Sequence, residues 1–71
     1  MEEKAFLSMV SDRILDGADI EMSTNLKDIE GWDSLSIVSF LALINVTLDK
    51  NINPLEAKTA KTIGDLYALV K

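Results

Sequence analysis

The chain has no cysteine and no histidine, and only one proline and three glycines among its 71 residues. Without cysteine, no disulfide or thiolate metal site can reinforce a small core. Without histidine as well, no metal site is expected, zinc least of all. Neither a Ser-His nor a Cys-His pair can form, which excludes nucleophilic catalysis of the triad kind. A cysteine-free composition fits a reducing compartment. The start, Met-Glu-Glu-Lys, lacks the charged-then-apolar pattern of a signal peptide, so the expectation is a cytoplasmic protein. Cations are scarce too: seven Lys and Arg face twelve Asp and Glu, a net charge of -5. Nucleic acid is a poor partner for such a chain, because binding it needs clustered cations. No apolar run is long enough to span a bilayer, the longest candidate being Leu35 to Leu48.

The length implies one domain, residues 1–71, able to bury about 60% of its unfolded surface, with stability on the order of 3 to 5 kcal/mol. The charge is uneven. Between Asp12 and Asp33, seven acids meet two cations, whereas elsewhere five acids and five lysines cancel. All the net negative charge therefore lies in one segment, either a solvated loop or an electrostatic docking surface.

Apolar spacing predicts four helices. Phe6, Leu7, Val10 and Ile14 define the first, over residues 2–15, with Glu2 and Glu3 in its first turn and Gly17 free to take the left-handed conformation after it. From Ala18 to Trp32 the period is lost, and Ile20, Leu26, Ile29 and Trp32 read as anchors of a long connection. Trp32 is expected to pack this loop onto the helices. A second helix covers 34–48. Asn53, Pro54 and Glu56 have the logic of a capping box opening a short third helix, 54–60, and Thr62 with Asp65 repeats the device before a fourth, 63–70. Tyr67 reads as a packing residue with its hydroxyl at the surface. The fold class is all-α: a small four-helix bundle with a long loop between helices one and two and a short third helix.

The stretch Gly31-Trp32-Asp33-Ser34-Leu35 stands out. Gly31 permits a turn, and Asp33 and Ser34 are both favoured at helix N-termini. A phosphate esterified to Ser34 would lie at the positive end of the helix dipole, beside free N–H groups. The helix that follows carries no charge from Leu35 to Leu48, and ten of these fourteen residues are apolar. At 100 degrees per residue it resolves into two stripes. Ile37, Phe40, Leu41, Ile44 and Leu48 form the bulkier one, assigned to the core. Leu35, Val38, Ala42 and Val46, with Ser39 at the edge, form another nearly opposite. So small a bundle cannot easily cover both. An exposed Leu35 stripe would offer a partner a surface adjoining Ser34.

Gly-x-Asp-Ser-Leu near the middle of an acidic chain of this length, between one helical segment and two shorter ones, resembles the acyl carrier protein family. The resemblance runs from the first helix through Ile52, Ala57 and Thr62-Ile63 to the final Leu-Tyr-x-Leu-Val. It implies that Ser34 carries 4'-phosphopantetheine, attached from coenzyme A by a phosphopantetheinyl transferase that reads Asp33 and Leu35. It also implies a monomeric carrier that catalyses nothing and passes an acyl thioester among loading and transferring enzymes, in fatty acid or secondary-metabolite biosynthesis. The family's acyl chain slips between the second helix and a mobile third one. The matching lining would be Phe40, Leu41, Ile44, Ile52, Leu55, Ala57, Ala60 and Ile63.

The chain departs from the family pattern along the second helix. Members serving general fatty acid synthesis carry acids there, where this chain has Ser36, Ser39, Asn45, Val46 and Thr47. A dedicated pathway with less electrostatic partners is the expectation. Two other readings remain open on the sequence. A peptidyl or D-alanyl carrier would use the same serine, and a small helical adaptor would bind a partner through the Leu35 stripe with Ser34 as a mere cap.

Overall fold

Helices form where the apolar spacing places them. In the computed structural model, which describes all of residues 1–71, they are α1 (Glu3–Arg13), α2 (Ser34–Leu48), α3 (Pro54–Thr59) and α4 (Ile63–Val70), with a 3-10 turn at Leu26–Asp28 inside the long loop. The chain has no strands. The fold is the small all-α arrangement of acyl-carrier type. Helix α2 packs on α3, and α4 packs on both α1 and α3.

Ten buried apolar side chains form the core: Phe6 and Val10 from α1, Leu15 and Leu26 from the loop, Phe40 and Ile44 from α2, Ala57 from α3, and Ile63, Leu66 and Val70 from α4. Phe6 is the hub. Its ring meets Phe40 edge-on at 6.0 Å between centroids and Tyr67 at 5.2 Å, arrangements that suit the ring quadrupoles. The Tyr67 hydroxyl reaches the surface and donates to the Met1 carbonyl.

Helix α1 ends two residues earlier than its apolar pattern suggests. Asp16 and Gly17 both adopt positive φ, 56° and 84°, and the Gly17 N–H reaches back to the Ser11 carbonyl at 2.8 Å. The reversal folds Leu15 under the bundle rather than extending the helix.

The loop that follows is tied to the start of α4 by main-chain bonds. Leu26 N–H donates to the Lys61 carbonyl at 2.8 Å, Ile63 N–H to Thr24 at 3.0 Å, and Gly64 N–H to Met22 at 2.8 Å. Two of the N–H groups that every helix start leaves without partners are thereby satisfied by the loop. Ile20, Met22, Ile29 and Trp32 then pack, half-buried, against the core.

Helix α3 is held differently. Asn53 caps it by accepting from Leu55 N–H at 2.9 Å, with Pro54 at the first position. The reciprocal half of the expected capping box is missing, because the Glu56 side chain does not return to Asn53. Only its main-chain N–H does, donating to the Asn53 carbonyl at 3.0 Å. The helix stops at Thr59, one residue short of expectation, and Ala57 is its only buried residue. Leu55 is 68% exposed. Little apolar area therefore fastens α3, the condition for low local stability.

At α4 the capping box is complete. Thr62 Oγ1 accepts from Asp65 N–H at 3.1 Å, and Asp65 Oδ2 accepts from the N–H groups of Lys61 and Thr62 at 3.0 and 3.2 Å. The far end of α4 is capped by Lys50, whose ammonium donates to the Val70 carbonyl at 2.6 Å, where a cation meets the negative end of the dipole.

The Lys61 N–H first, then the Thr62 N–H, hold the Asp65 carboxyl below its ordinary value of 3.8. A folded-state value below the unfolded one means that the ionised carboxylate stabilises the fold. That contribution is complete above 3.8 and is lost as pH falls through it toward the lowered folded value. Asp65→Asn should lower the melting temperature at neutral pH and flatten its decline on the acid side. Melting curves that run parallel for the two proteins from neutral to acid pH would contradict this.

Candidate functional site

The turn before α2 is built around two serines with opposite roles. Gly31 takes φ of 88°, a left-handed conformation that disfavours any side chain. Asp33 is the N-cap, extended, with its Oδ1 accepting the Ser36 N–H at 3.1 Å. Ser36 closes the box: its Oγ accepts the Asp33 N–H at 3.3 Å and donates to the Gly31 carbonyl at 2.8 Å. Ser36 is the one buried polar residue of the chain, and its bonds fix the turn. Ser34, at the first position of α2, takes part in none of them and lies exposed. The N–H groups of Ser34 and Leu35 precede the first main-chain bond of the helix, Ile37 N–H to the Asp33 carbonyl at 3.1 Å. They are left free for an anion.

Ser34 also stands at one end of a cleft between α2 and α3. Ile37, Val38 and Leu41 from α2 and Pro54 and Lys58 from α3 line it, and its volume is about 190 Å³. The residues expected to line an acyl pocket fall into three groups. Phe40, Ile44, Ala57 and Ile63 are closed in the core, Leu41, Ile52 and Ala60 are half-buried against it, and Leu55 faces solvent. Of the eight, only Leu41 borders the cleft; Ala60 lines another, with Asn25, Leu26, Lys27 and Lys61. Phe40, whose ring meets Phe6, and Ile44 are closed in the core, and the accessible groove lies along Ile37 and Val38.

The second stripe of α2 is uncovered. Leu35 is 75% exposed, Val38 61% and Val46 84%, and Ser39 and Ala42 are exposed between them. Toward its far end, Ser39, Ala42, Leu43 and Val46 form a shallow groove with Arg13 and Ile14 at the end of α1. No helix is long and apolar enough to cross a membrane.

Two parts of the site escaped the reading of the sequence. Ser36 had a signal, a hydroxyl residue three positions after the capping Asp33, the spacing of a reciprocal cap. Pro54 and Lys58 had none, since only the packing of α3 brings them beside Ser34.

The division of labour between the serines is measurable. Ser36→Ala leaves the Gly31 carbonyl and the Asp33 N–H without their partner, and should cost about 1 to 2 kcal/mol in chemical denaturation. Ser34→Ala should stay within about 0.5 kcal/mol of the wild type. Equal costs for the two would mean that Ser34, too, is structural.

No curated protein and no solved structure matches the chain. The family described as Phosphopantetheine attachment site matches residues 5–70, from α1 to the last residue of α4. Its members are non-catalytic carriers bearing covalently attached 4'-phosphopantetheine, loaded by a phosphopantetheinyl transferase and served by biosynthetic enzymes. With nearly its whole length matched and an exposed serine at the head of its second helix, the chain belongs to the phosphopantetheine attachment site family and is a carrier protein, not an enzyme.

Proposed function

We propose that Ser34 is the attachment residue and that the protein carries an acyl group as a thioester in a dedicated biosynthetic pathway. The observation that carries this reading is the exposed Ser34 hydroxyl at the first position of α2, excluded from the cap that Asp33 and Ser36 complete. During attachment, this hydroxyl would give its proton to a base on the transferase and bond to the phosphorus of coenzyme A that bears the pantetheine, with adenosine bisphosphate leaving. The chain supplies no histidine for the purpose, so the base belongs to the transferase. Once in place, the group supplies a thiol on a flexible arm, which keeps its cargo at high effective concentration for whichever enzyme docks.

The residues present fit that group. The N–H groups of Ser34 and Leu35 are free at a helix start, where an anion is stabilised. Asp33 and Leu35, both exposed, flank the serine where a transferase would read them. Ile37, Val38, Leu41 and Pro54 give the cleft beside Ser34 an apolar lining, which suits the arm's methyl groups or the first carbons of a cargo. Burial of a thioester there would slow its hydrolysis.

The uncovered Leu35, Val38, Ser39, Ala42 and Val46 supply the docking face for partner enzymes, beside the point of attachment. An exposed apolar face without acids supports partners that do not rely on basic patches, hence a dedicated pathway. The acidic loop before Ser34 would steer their approach.

Incubation with coenzyme A and a broad-specificity phosphopantetheinyl transferase should add one phosphopantetheine mass to the wild type and none to Ser34→Ala. No gain on the wild type, or a gain that survives the substitution, removes this assignment; the adaptor reading predicts the first of these. Loading of the arm by an amino-acid-activating enzyme, with no loading by acyl-activating ones, would replace the acyl cargo with an aminoacyl one. For the docking face, Val46→Glu should change stability by less than about 0.5 kcal/mol while weakening cargo transfer by the cognate enzyme. Unimpaired transfer would move the docking face elsewhere.

A further inference from the structure

Helix α3 has one buried side chain, Ala57, and half of a capping box. It nevertheless forms one wall of the cleft that Ser34 opens, and the one charged side chain along that cleft is Lys58. Lys50, just past the end of α2, is committed to the Val70 carbonyl, and Lys61, just past the end of α3, lines a different cleft. Lys58 makes no such bond; it is exposed and lines the cleft with Pro54, Ile37, Val38 and Leu41, and a lysine can lay its methylene stem on such an apolar lining while its ammonium stays in water.

A phosphodiester on Ser34 would add a negative charge next to the Asp33 carboxylate, which caps the same helix start. The first turn of α2 contributes N–H groups but no cation, and no basic residue occurs anywhere in α2. The one cation that lines the cleft together with Ser34, and so can balance the pair of anions across it, is Lys58.

We infer that Lys58 pairs with the phosphodiester on Ser34, and that this pairing fastens α3 against α2 when the carrier is loaded. The inference rests on attachment at Ser34. Lys58 is a positioning residue: it acts on the lie of the arm and on the opening of α3, not on the chemistry of transfer. Loading then becomes legible in the protein surface, because the α3 wall is held in the modified form and looser in the unmodified one. An ammonium in the last turn of α3 also favours that helix through its dipole, but this contribution is the same with and without the arm, so a comparison of the two forms isolates the pairing.

The test is amide hydrogen exchange of the unmodified and modified protein, the latter made with coenzyme A itself so that the arm ends in an uncharged thiol and its phosphodiester is the only added charge. Attachment is read first, by mass. A wild type that gains no mass overturns attachment at Ser34, and the pairing with it. With attachment established, exchange across Leu55 to Thr59 should slow by about two- to fivefold on modification, the range of an exposed ion pair. The slowing should shrink at high salt, persist in Lys58→Arg and vanish in Lys58→Gln, while exchange in α1 and α4 is unchanged by modification in all three. Equal slowing in Lys58→Gln, or none in the wild type, overturns the pairing and leaves the carrier function standing.

Discussion

Phe6, Phe40 and Ile44 set how much apolar surface a chain of this size can hide. Each is fully buried, and the T-shaped contact of the two rings locks α1 against one face of α2. A face of α2 turned toward that contact is necessarily turned away from solvent, and the opposite face of an equally apolar helix has nothing left to cover it. The exposure of Leu35, Val38 and Val46 is thus a consequence of core geometry. The same limit reaches α3, which approaches the core through Ala57 alone.

The site sits where these consequences meet. Ser34 begins α2, so it shares a helix with the uncovered stripe and a cleft with the weakly held α3. A rigid turn is needed at that junction, and it comes from the Gly31, Asp33 and Ser36 network, closed by bonds of 2.8 to 3.3 Å. A firm turn beside a helix with one buried residue suits the role proposed for Ser34, whose surroundings would have to accommodate different states of one arm.

The long loop contributes by tying the connection after α1 to the start of α4. Its carbonyls at Met22 and Thr24 accept the first N–H groups of α4, and its Leu26 fills the core. Gly64 admits this approach, since a Cβ there would stand 3.1 Å from the Met22 carbonyl oxygen. Acidic side chains along the same loop, among them Asp19, Glu21, Asp28 and Glu30, remain exposed, so one segment both packs inward and charges the surface ahead of Ser34.

Much of this was written in the chain itself. Apolar spacing and the Asn53-Pro54 and Thr62-to-Asp65 signals fixed four helices to within two residues, because local propensities and caps act over a few positions. Gly31 to Leu35 marked the turn that opens α2 for the same reason, and the two-stripe pattern of α2 told which face would be left over. Tertiary structure decided what depends on residues far apart in sequence. It chose Ser36 over Ser34 as the structural hydroxyl, closed Phe40, Ile44, Ala57 and Ile63 into the core, turned Leu55 outward, and brought Pro54 and Lys58 beside Ser34. Main-chain bonds such as Leu26 to Lys61 carry no sequence signature, since every non-proline residue has the same N–H to give; only the assembled fold selects which ones meet.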